Sequence, residues 1–285
     1  MVAAALIVAP LLLLVGLVAS REGLLADHVG ELPWRRGALD RMGPRYPIVL
    51  VHGMVGEVEV GTSRAGYFRG VADRLRTAGI EVHAPRVSPA APVSVRAREL
   101  VLQIDKITAR RVNIIAHSMG GLDARYAIAH LGLADRVASL TTIATPHHGT
   151  PLADVGTSFL GRKLGLRKLL SATRLNLDGV YDLTTSSASA FNRRVKNAPG
   201  VRYACVLAGT DGMNTAVNPL LRPVHRFLSS RLGPNDGLVP MSSQVWGEII
   251  DEIDADHWAQ IGWSTRFDAP AFYERLVHTL RTRGL

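Results

Sequence analysis

The chain has 285 residues, of which 47% are hydrophobic and 20% are charged, and its formal net charge is +9. This length and hydrophobic fraction predict one large globular domain and exclude a disordered chain. The positive charge comes from scattered arginines with few aromatic neighbours, which excludes a nucleic-acid partner and indicates a basic surface that could attract anionic membranes weakly. The single cysteine, Cys205, excludes an intrachain disulfide and is expected to be a small buried side chain.

The N-terminus begins with an apolar segment. Residues 2–19 contain no charged side chain, and their length approaches that needed to span a bilayer. No basic residue precedes them, whereas Val18-Ala19-Ser20 fits a cleavage site. Residues 1–20 are therefore predicted to be a membrane anchor or a cleaved signal peptide, with a buried helix as a third alternative. The first two imply a protein that is membrane-anchored, secreted or periplasmic, although arginines at 21, 35, 36 and 41 argue against export.

Predicted strands alternate with predicted helices from residue 46 to 285, after a lead-in over residues 21–45. Apolar runs predict strands at 48–51, 80–83, 112–116, 139–144, 201–208 and 245–253. Periodic apolar spacing predicts helices at 67–78, 93–108, 119–131 and 270–281. This alternation predicts an α/β fold with a doubly wound, mostly parallel sheet, and residues 210–232 are expected to be irregular.

The alternation stops between residues 151 and 191. Leucines there alternate with arginines and lysines, which predicts an amphipathic helical insertion. Two interpretations are open. The insertion could consist of surface helices with one buried face, or it could be a lid that covers a site and opens at a lipid surface.

The strongest functional pattern is a strand-to-helix turn at Ser118. The run from Ala116 to Gly121 places small residues on both sides of this serine, as a sharp and crowded turn requires. Such a turn exposes the hydroxyl group and directs the next helix N-terminus at developing negative charge. Ser118 is therefore predicted to be a nucleophile, with a helix-capping serine as the alternative.

A second tight turn, His52-Gly53, ends the first predicted strand. The backbone N–H of Met54, which follows this turn, would form an oxyanion hole together with the N–H of Met119. A plain strand-to-helix turn that uses glycine for its backbone angles is the alternative.

A serine nucleophile needs a base and an acid. Ser118, Asp236 and His257 occur in the chain order that α/β-hydrolases use, and the last two lie in predicted loops. The competing acids are Asp251, Asp254 and Asp256, and the competing bases are His147 and His148, which follow a strand expected beside that of Ser118. Asp123, on the helix after the serine, is expected to form a cap or a salt bridge.

Together these stretches resemble the bacterial true lipases of the α/β-hydrolase superfamily and, more loosely, other carboxylesterases. The resemblance rests on His52–Gly56, Ala116–Gly121, Ala144–Thr150, Leu183–Thr185 with Phe191-Asn192, and Asn235–Val239. It implies an α/β-hydrolase fold with a lid after Pro151. It also implies that Ser118 is the nucleophile, Asp236 the acid and His257 the base, and that Met54 and Met119 are the oxyanion donors.

The resemblance implies hydrolysis of acylglycerol or other lipid esters, without a cofactor. His52, His117, His147 and Trp258 are expected to line the substrate pocket. The alternatives are a short-chain carboxylesterase, a polyester or other acyl hydrolase, and an inactive hydrolase fold that serves as a membrane-tethered binding module. Many relatives bind calcium through a carboxylate two residues after the histidine; Ala259 occupies that position, so no metal is expected. The oligomeric state is left open.

Overall fold

A computed structural model describes residues 43–55, 66–162, 178–210 and 217–285. The apolar segment 1–20, nearly all of the lead-in and the centre of the predicted insertion lie outside the described residues. No helix within the described ranges is long and apolar enough to cross a membrane.

One sheet of six parallel strands forms the centre of the fold. The strands are β1 (Ile48–Val51), β2 (Val82–His83), β3 (Val112–His117), β4 (Val137–Ile143), β5 (Arg202–Ala208) and β6 (Glu248–Ile253). Their order is β2-β1-β3-β4-β5-β6, which confirms the predicted parallel sheet. The order reverses at β1, so β1 and β3 flank the crevice where parallel α/β sheets bind their ligands.

The α-helices of the described residues lie between these strands and after the last one. They are α1 (Val71–Thr77), α2 (Val93–Ile104), α3 (Gly120–His130), α4 (Pro151–Arg162), α5 (Asp178–Asp182), α6 (Thr185–Arg194), α7 (Arg222–Leu232), α8 (Met241–Gln244) and α9 (Ala269–Thr282). Helix α7 shows that the expectation of an irregular stretch over 210–232 is wrong for its second half. A proline stands in the first turn of α7, where a missing N–H group costs little, and Val224 and Leu228 are buried.

Two apolar layers cover the sheet. Residues of α1 and α9 pack with Ile48, Leu50 and Ile115 on one face, and residues of α2 and α3 pack with Val49 and Ile114 on the other. Neighbouring residues of one strand point to opposite faces, so short strands that are apolar throughout fit this double cover.

Both described ends of the predicted insertion are helical. Helices α4 and α5 pack together, and Ala153, Val180 and Leu183 form an apolar cluster with Met119 and Leu122 at the start of α3. The insertion therefore lies against the turn that carries Ser118.

Candidate active site

Ser118 lies in a strained turn between β3 and α3. Its φ angle is 55°, in the left-handed region that residues with a side chain rarely adopt. Its N–H donates to the Ile143 carbonyl at 2.9 Å, and its own carbonyl accepts from Thr145 Oγ1 at 2.7 Å. Both partners belong to the end of β4 and the turn after it, so the neighbouring strand holds the strained conformation.

The two glycines after Ser118 allow close approach between elements. A Cβ atom at Gly120 would lie 2.7 Å from the carbonyl oxygens of Val51 and His52. A Cβ atom at Gly121 would collide with the side chain of Thr145. These contacts explain why the turn needs glycine at both positions.

The structure brings Ser118, His257 and Asp236 together. Ser118 Oγ lies 3.0 Å from His257 Nε2, and His257 Nδ1 lies 2.7 Å from Asp236 Oδ2. A carboxylate only accepts hydrogen bonds, so His257 donates its Nδ1–H to Asp236 and keeps the Nε2 lone pair for the serine hydroxyl. This arrangement can deprotonate a serine and stabilise the resulting imidazolium.

Backbone groups hold the acid in place. Asp236 is fully buried, and its Oδ1 accepts from the N–H groups of Leu238 and Val239 at 2.9 and 2.8 Å. The N–H of His257 donates to the carbonyl of Asp236 at 2.8 Å, which ties the two loops to each other. The carboxylate therefore has a fixed orientation toward the imidazole.

The competing acids and bases have other positions. Asp251 accepts from its neighbour Glu252, Asp254 is exposed, and Asp256 binds backbone N–H groups. His147 is fully buried and bonded to Thr142 Oγ1 at 3.0 Å, whereas His148 is exposed.

Within the described residues, the loop around His257 offers no free carboxylate for a calcium ion. Ala259 has no side-chain oxygen, and both carboxylate oxygens of the neighbouring Asp256 accept hydrogen bonds from backbone groups. Its Oδ1 accepts from the N–H groups of Trp258 and Ala259, and its Oδ2 accepts from the N–H of Asn218 at 2.7 Å. No group of three or more acidic, histidine or cysteine side chains in the described ranges could hold a metal. Asp256 therefore joins its own loop to the segment of Asn218 directly, through hydrogen bonds.

The turn after β1 passes close to Ser118. A Cβ atom at Gly53 would lie 2.9 Å from Ser118 Cβ and 3.3 Å from Ser118 Oγ. Among the described residues, no acceptor is bonded to the N–H of Met54 or of Met119. Both predicted oxyanion donors therefore lie on turns that border Ser118. Within the described residues, their N–H groups have no protein acceptor and could bind a ligand.

A buried arginine, Arg96 of α2, holds the turn after β1. Its Nη2 donates to the carbonyls of His52 and Gly53 at 2.9 and 3.0 Å, and its guanidinium forms a 2.7 Å salt bridge with Asp123 of α3. The expectation that Asp123 forms a salt bridge is confirmed. Burial raises the pKa of Asp123 to about 6, although the arginine opposes this shift.

Arg96 is not among the residues predicted from the sequence, although the sequence contains one signal for it. Arg96 shares a helix face with Val93, Ala97 and Leu100, which are all buried. A charged side chain on an apolar helix face needs a buried partner, and Asp123 on the next helix provides it.

Three of the four residues expected to line the substrate pocket form hydrogen bonds with other protein groups. His52 Nε2 accepts from the N–H of Val87 at 3.0 Å, and His117 and His147 are fully buried and bonded on both ring nitrogens. Burial lowers the pKa of His52 to about 4 and the pKa values of His117 and His147 well below their usual range. We therefore interpret these histidines as residues that hold the turns around the site. The fourth, Trp258, is partly exposed.

Comparisons with known proteins find similarity to an α/β domain family and to triacylglycerol lipases. The family of PGAP1-like alpha/beta domains matches residues 98–162. A triacylglycerol lipase of Vibrio cholerae is 36% identical over 289 residues, which cover 85% of this chain and 89% of the lipase. A triacylglycerol lipase of Pseudomonas fragi is 28% identical and covers 86% of this chain and 99% of its own length.

Solved structures share the fold. A metagenomic carboxyl esterase has a TM-score of 0.70 at 20% identity and covers 91% of this chain and 82% of its own. Lipase 1 of Pelosinus fermentans has a TM-score of 0.65 at 21% identity and covers 84% of this chain and 99% of its own. The predicted α/β-hydrolase fold of lipases and esterases is thereby confirmed.

Proposed function

Since the chain belongs to the triacylglycerol lipase family and is a carboxylic ester hydrolase of the lipase type, we propose that it cleaves acylglycerol esters through an acyl-enzyme on Ser118. The observation that carries this proposal is the pair of hydrogen bonds made by His257. Its Nε2 lies 3.0 Å from Ser118 Oγ, and its Nδ1 lies 2.7 Å from Asp236 Oδ2. A serine is a weak nucleophile until an imidazole accepts its proton, and this geometry supplies the imidazole.

In the first step Ser118 Oγ attacks the ester carbonyl while His257 Nε2 takes the hydroxyl proton. The carbonyl carbon becomes tetrahedral, and its oxygen becomes an oxyanion. Collapse of this intermediate breaks the bond to the alcohol, which leaves with the proton from His257. Asp236 stabilises the imidazolium between these two transfers.

In the second step water attacks the acyl-enzyme with His257 as the base. The proton returns to Ser118 Oγ, and the carboxylic acid is released. In both steps the N–H groups of Met54 and Met119 would bind the oxyanion. Each such donor contributes about 3 kcal/mol to transition-state stabilisation in serine hydrolases.

A buried apolar cluster beside Ser118, between the insertion and the start of α3, supports a lipid ester as substrate. Met119 and Leu122 pack there with Val180 and Leu183 of the insertion, and Met54 packs against the same cluster. The free energy falls when an acyl chain leaves water for apolar contacts of this kind. We propose that the insertion acts as a lid and that the enzyme contacts a lipid surface when it opens.

The test is the hydrolysis of p-nitrophenyl esters from short to long acyl chains, with Ser118→Ala as the matched variant. We expect turnover of long-chain esters that Ser118→Ala abolishes while its melting temperature remains near that of the parent. Activity confined to short chains would identify a short-chain esterase. Ester hydrolysis that persists in Ser118→Ala would refute the proposed nucleophile.

The export interpretation of the N-terminus is a separate proposal. We propose that residues 1–20 either anchor the enzyme in a membrane or direct its export and are then removed, because they are uncharged and long enough to insert into a bilayer. Cell fractionation followed by N-terminal sequencing of the recovered enzyme distinguishes the two. Recovery of the intact chain in the soluble cytoplasmic fraction would contradict both.

A further inference from the structure

A second line of hydrogen bonds reaches Asp236 from behind the triad. The hydroxyl of Tyr67 lies 2.7 Å from His117 Nδ1, and His117 Nε2 lies 3.0 Å from Gln260 Oε1. Gln260 Nε2 lies 3.2 Å from Asp236 Oδ2, the same oxygen that accepts from His257. Tyr67, His117 and Gln260 are buried and come from three separate parts of the chain.

The direction of these hydrogen bonds follows from the chemistry of the groups. Asp236 only accepts, so the NH₂ group of Gln260 must face it; a flipped amide would place two oxygens against each other. The amide oxygen of Gln260 then accepts from His117, which fixes the His117 proton on Nε2. His117 Nδ1 is left to accept from the Tyr67 hydroxyl. Each donor in the line from Tyr67 to Asp236 therefore has an acceptor.

The line keeps this direction because His117 stays neutral. Within the described part of the chain, the titratable groups that face its ring are Tyr67 and His257, and the ring centroids of the two histidines are 4.5 Å apart. Burial and the nearby imidazole of His257 lower the pKa of His117 well below its usual range. A proton added at Nδ1 would also displace the hydrogen bond from Tyr67.

We propose that Gln260, supported by His117 and Tyr67, is a positioning residue that holds Asp236 Oδ2 in line with His257. The inference rests on the proposed triad. Gln260 is fully buried and acts on the acid, so its loss should affect the step that forms the imidazolium rather than substrate binding. The hydrogen bond from Gln260 also stabilises the negative charge on Asp236. Without this donor the carboxylate should hold the His257 proton more strongly.

The first test compares Gln260→Met and Tyr67→Phe with the parent enzyme. For Gln260→Met we expect kcat to fall about tenfold with KM unchanged, and the acidic limb of the kcat/KM profile to move to higher pH. Tyr67→Phe removes a more distant donor and should change kcat and the limb in the same direction, but less.

The matched control is Gln244→Met. Gln244 is another fully buried glutamine, and the partners of its amide among the described residues are the backbone groups of Ala208 and Val239. We expect this variant to lose stability without a shift in the acidic limb. An unshifted limb and parental kcat in Gln260→Met, with Ser118→Ala inactive, would overturn the inference and leave the proposed function intact. An active Ser118→Ala would instead overturn the proposed function.

A second test needs no variant at position 260. In ¹⁵N-histidine NMR of the parent enzyme, with His117 assigned from its loss in His117→Gln, we expect the proton on Nε2 and no titration between about pH 5 and 8. A proton on Nδ1, or a ring that titrates in this range, would overturn the proposed line of hydrogen bonds even if Gln260→Met does not fold.

Discussion

The position of Ser118 is fixed by backbone contacts as well as by its hydrogen bond to His257. A residue with a side chain at a φ of 55° costs on the order of 1–3 kcal/mol. The hydrogen bonds to Ile143 and Thr145 offset this cost, and Gly120 allows the helix to approach the end of β1. The strain therefore persists because three neighbouring elements support the turn.

Gly53 gives the sharpest prediction at the scale of a single residue. In Gly53→Ala the new methyl group would press on Ser118 and on the hydroxyl of Tyr67. We expect kcat/KM to fall at least about tenfold, because small displacements of a nucleophile are costly, and stability to fall by about 1–3 kcal/mol. Ester hydrolysis and thermal melting measure the two effects.

Gly156→Ala is the matched control for this substitution. A Cβ atom there meets no described atom within 4 Å, and the residue lies inside α4. Alanine is favoured over glycine in helices, so activity should be retained and stability should rise slightly. Parental activity in Gly53→Ala would contradict the close approach of the turn to Ser118.

Some of the residues of the candidate site could be predicted from the sequence alone. Ser118 was identifiable from turn chemistry, and Asp236 and His257 from chain order and loop position. Arg96 was identifiable in principle as a charge on an apolar helix face. Gln260 carried no such signal, because the contact that gives it a role joins residues far apart in sequence and depends on the folded loops.

At the scale of elements, the insertion supports the proposed oxyanion turn through two successive hydrogen bonds. The N–H of Gly179 in α5 donates to the carbonyl of Ala90 at 2.9 Å, and the N–H of Ala90 donates to the carbonyl of Met54 at 2.8 Å. Asp182 of α5 also accepts from the N–H of Val93 at 2.7 Å, at the start of α2. The position of Met54 therefore depends on α5.

Asp182→Ala tests this dependence. The substitution removes the side chain that caps the first turn of α2, which typically costs about 1 kcal/mol, and it leaves the backbone bonds through Gly179 and Ala90 as the contacts between α5 and the turn of Met54. We expect the melting temperature to fall by roughly 2–4 °C and kcat to fall about threefold. Steady-state kinetics and thermal melting provide the measurements.

Asp154→Ala provides the comparison within the same insertion. Asp154 of α4 accepts from the N–H and hydroxyl of Thr185, at the start of α6, and is not bonded to the oxyanion turn. It should lower stability to a similar extent while kcat remains parental. Equal kcat losses in both variants would show that the insertion acts on activity only through general stability.

The elements themselves were predicted unevenly, for physical reasons. Strand β1 was predicted with its observed bounds because it is apolar throughout and ends at a glycine turn. Helix α1 begins later than predicted, because the buried aromatic residues Tyr67 and Phe68 continue the apolar spacing into the preceding turn. Helix α7 was missed because arginines dilute its apolar face and its proline resembles a loop signal.

At the scale of the whole molecule, three neutral histidines join the turns around the sheet's C-terminal edge. His52, His117 and His147 follow β1, end β3 and follow β4, respectively, and each accepts a hydrogen bond on one ring nitrogen. Protonation would remove that acceptor and place a charge in a buried site, beside Arg125 in the case of His147. The same groups that order the site therefore make the fold sensitive to acid.

We expect stability to fall as the pH decreases below about 6.5, because these histidines gain protons only in the unfolded chain. Burial lowers the pKa of His52 to about 4 and holds the pKa values of His117 and His147 well below their usual range. Asp123 has the opposite effect, since its pKa is raised to about 6 and it gains a proton first in the folded state; the raised pKa of Asp182 acts in the same direction.

Near pH 5 the protons that the unfolded chain gains on these three histidines outnumber those that the folded state gains on Asp123 and Asp182. Unfolding therefore takes up protons on balance, and each proton taken up corresponds to a loss of about 1.4 kcal/mol of stability per pH unit. Urea denaturation at pH 7, 6 and 5 measures this slope. His147→Gln should make the slope shallower by about one proton, because the variant has no imidazole to titrate when unfolded. A free energy of unfolding that stays constant between pH 7 and 5 would contradict neutral buried histidines at the site.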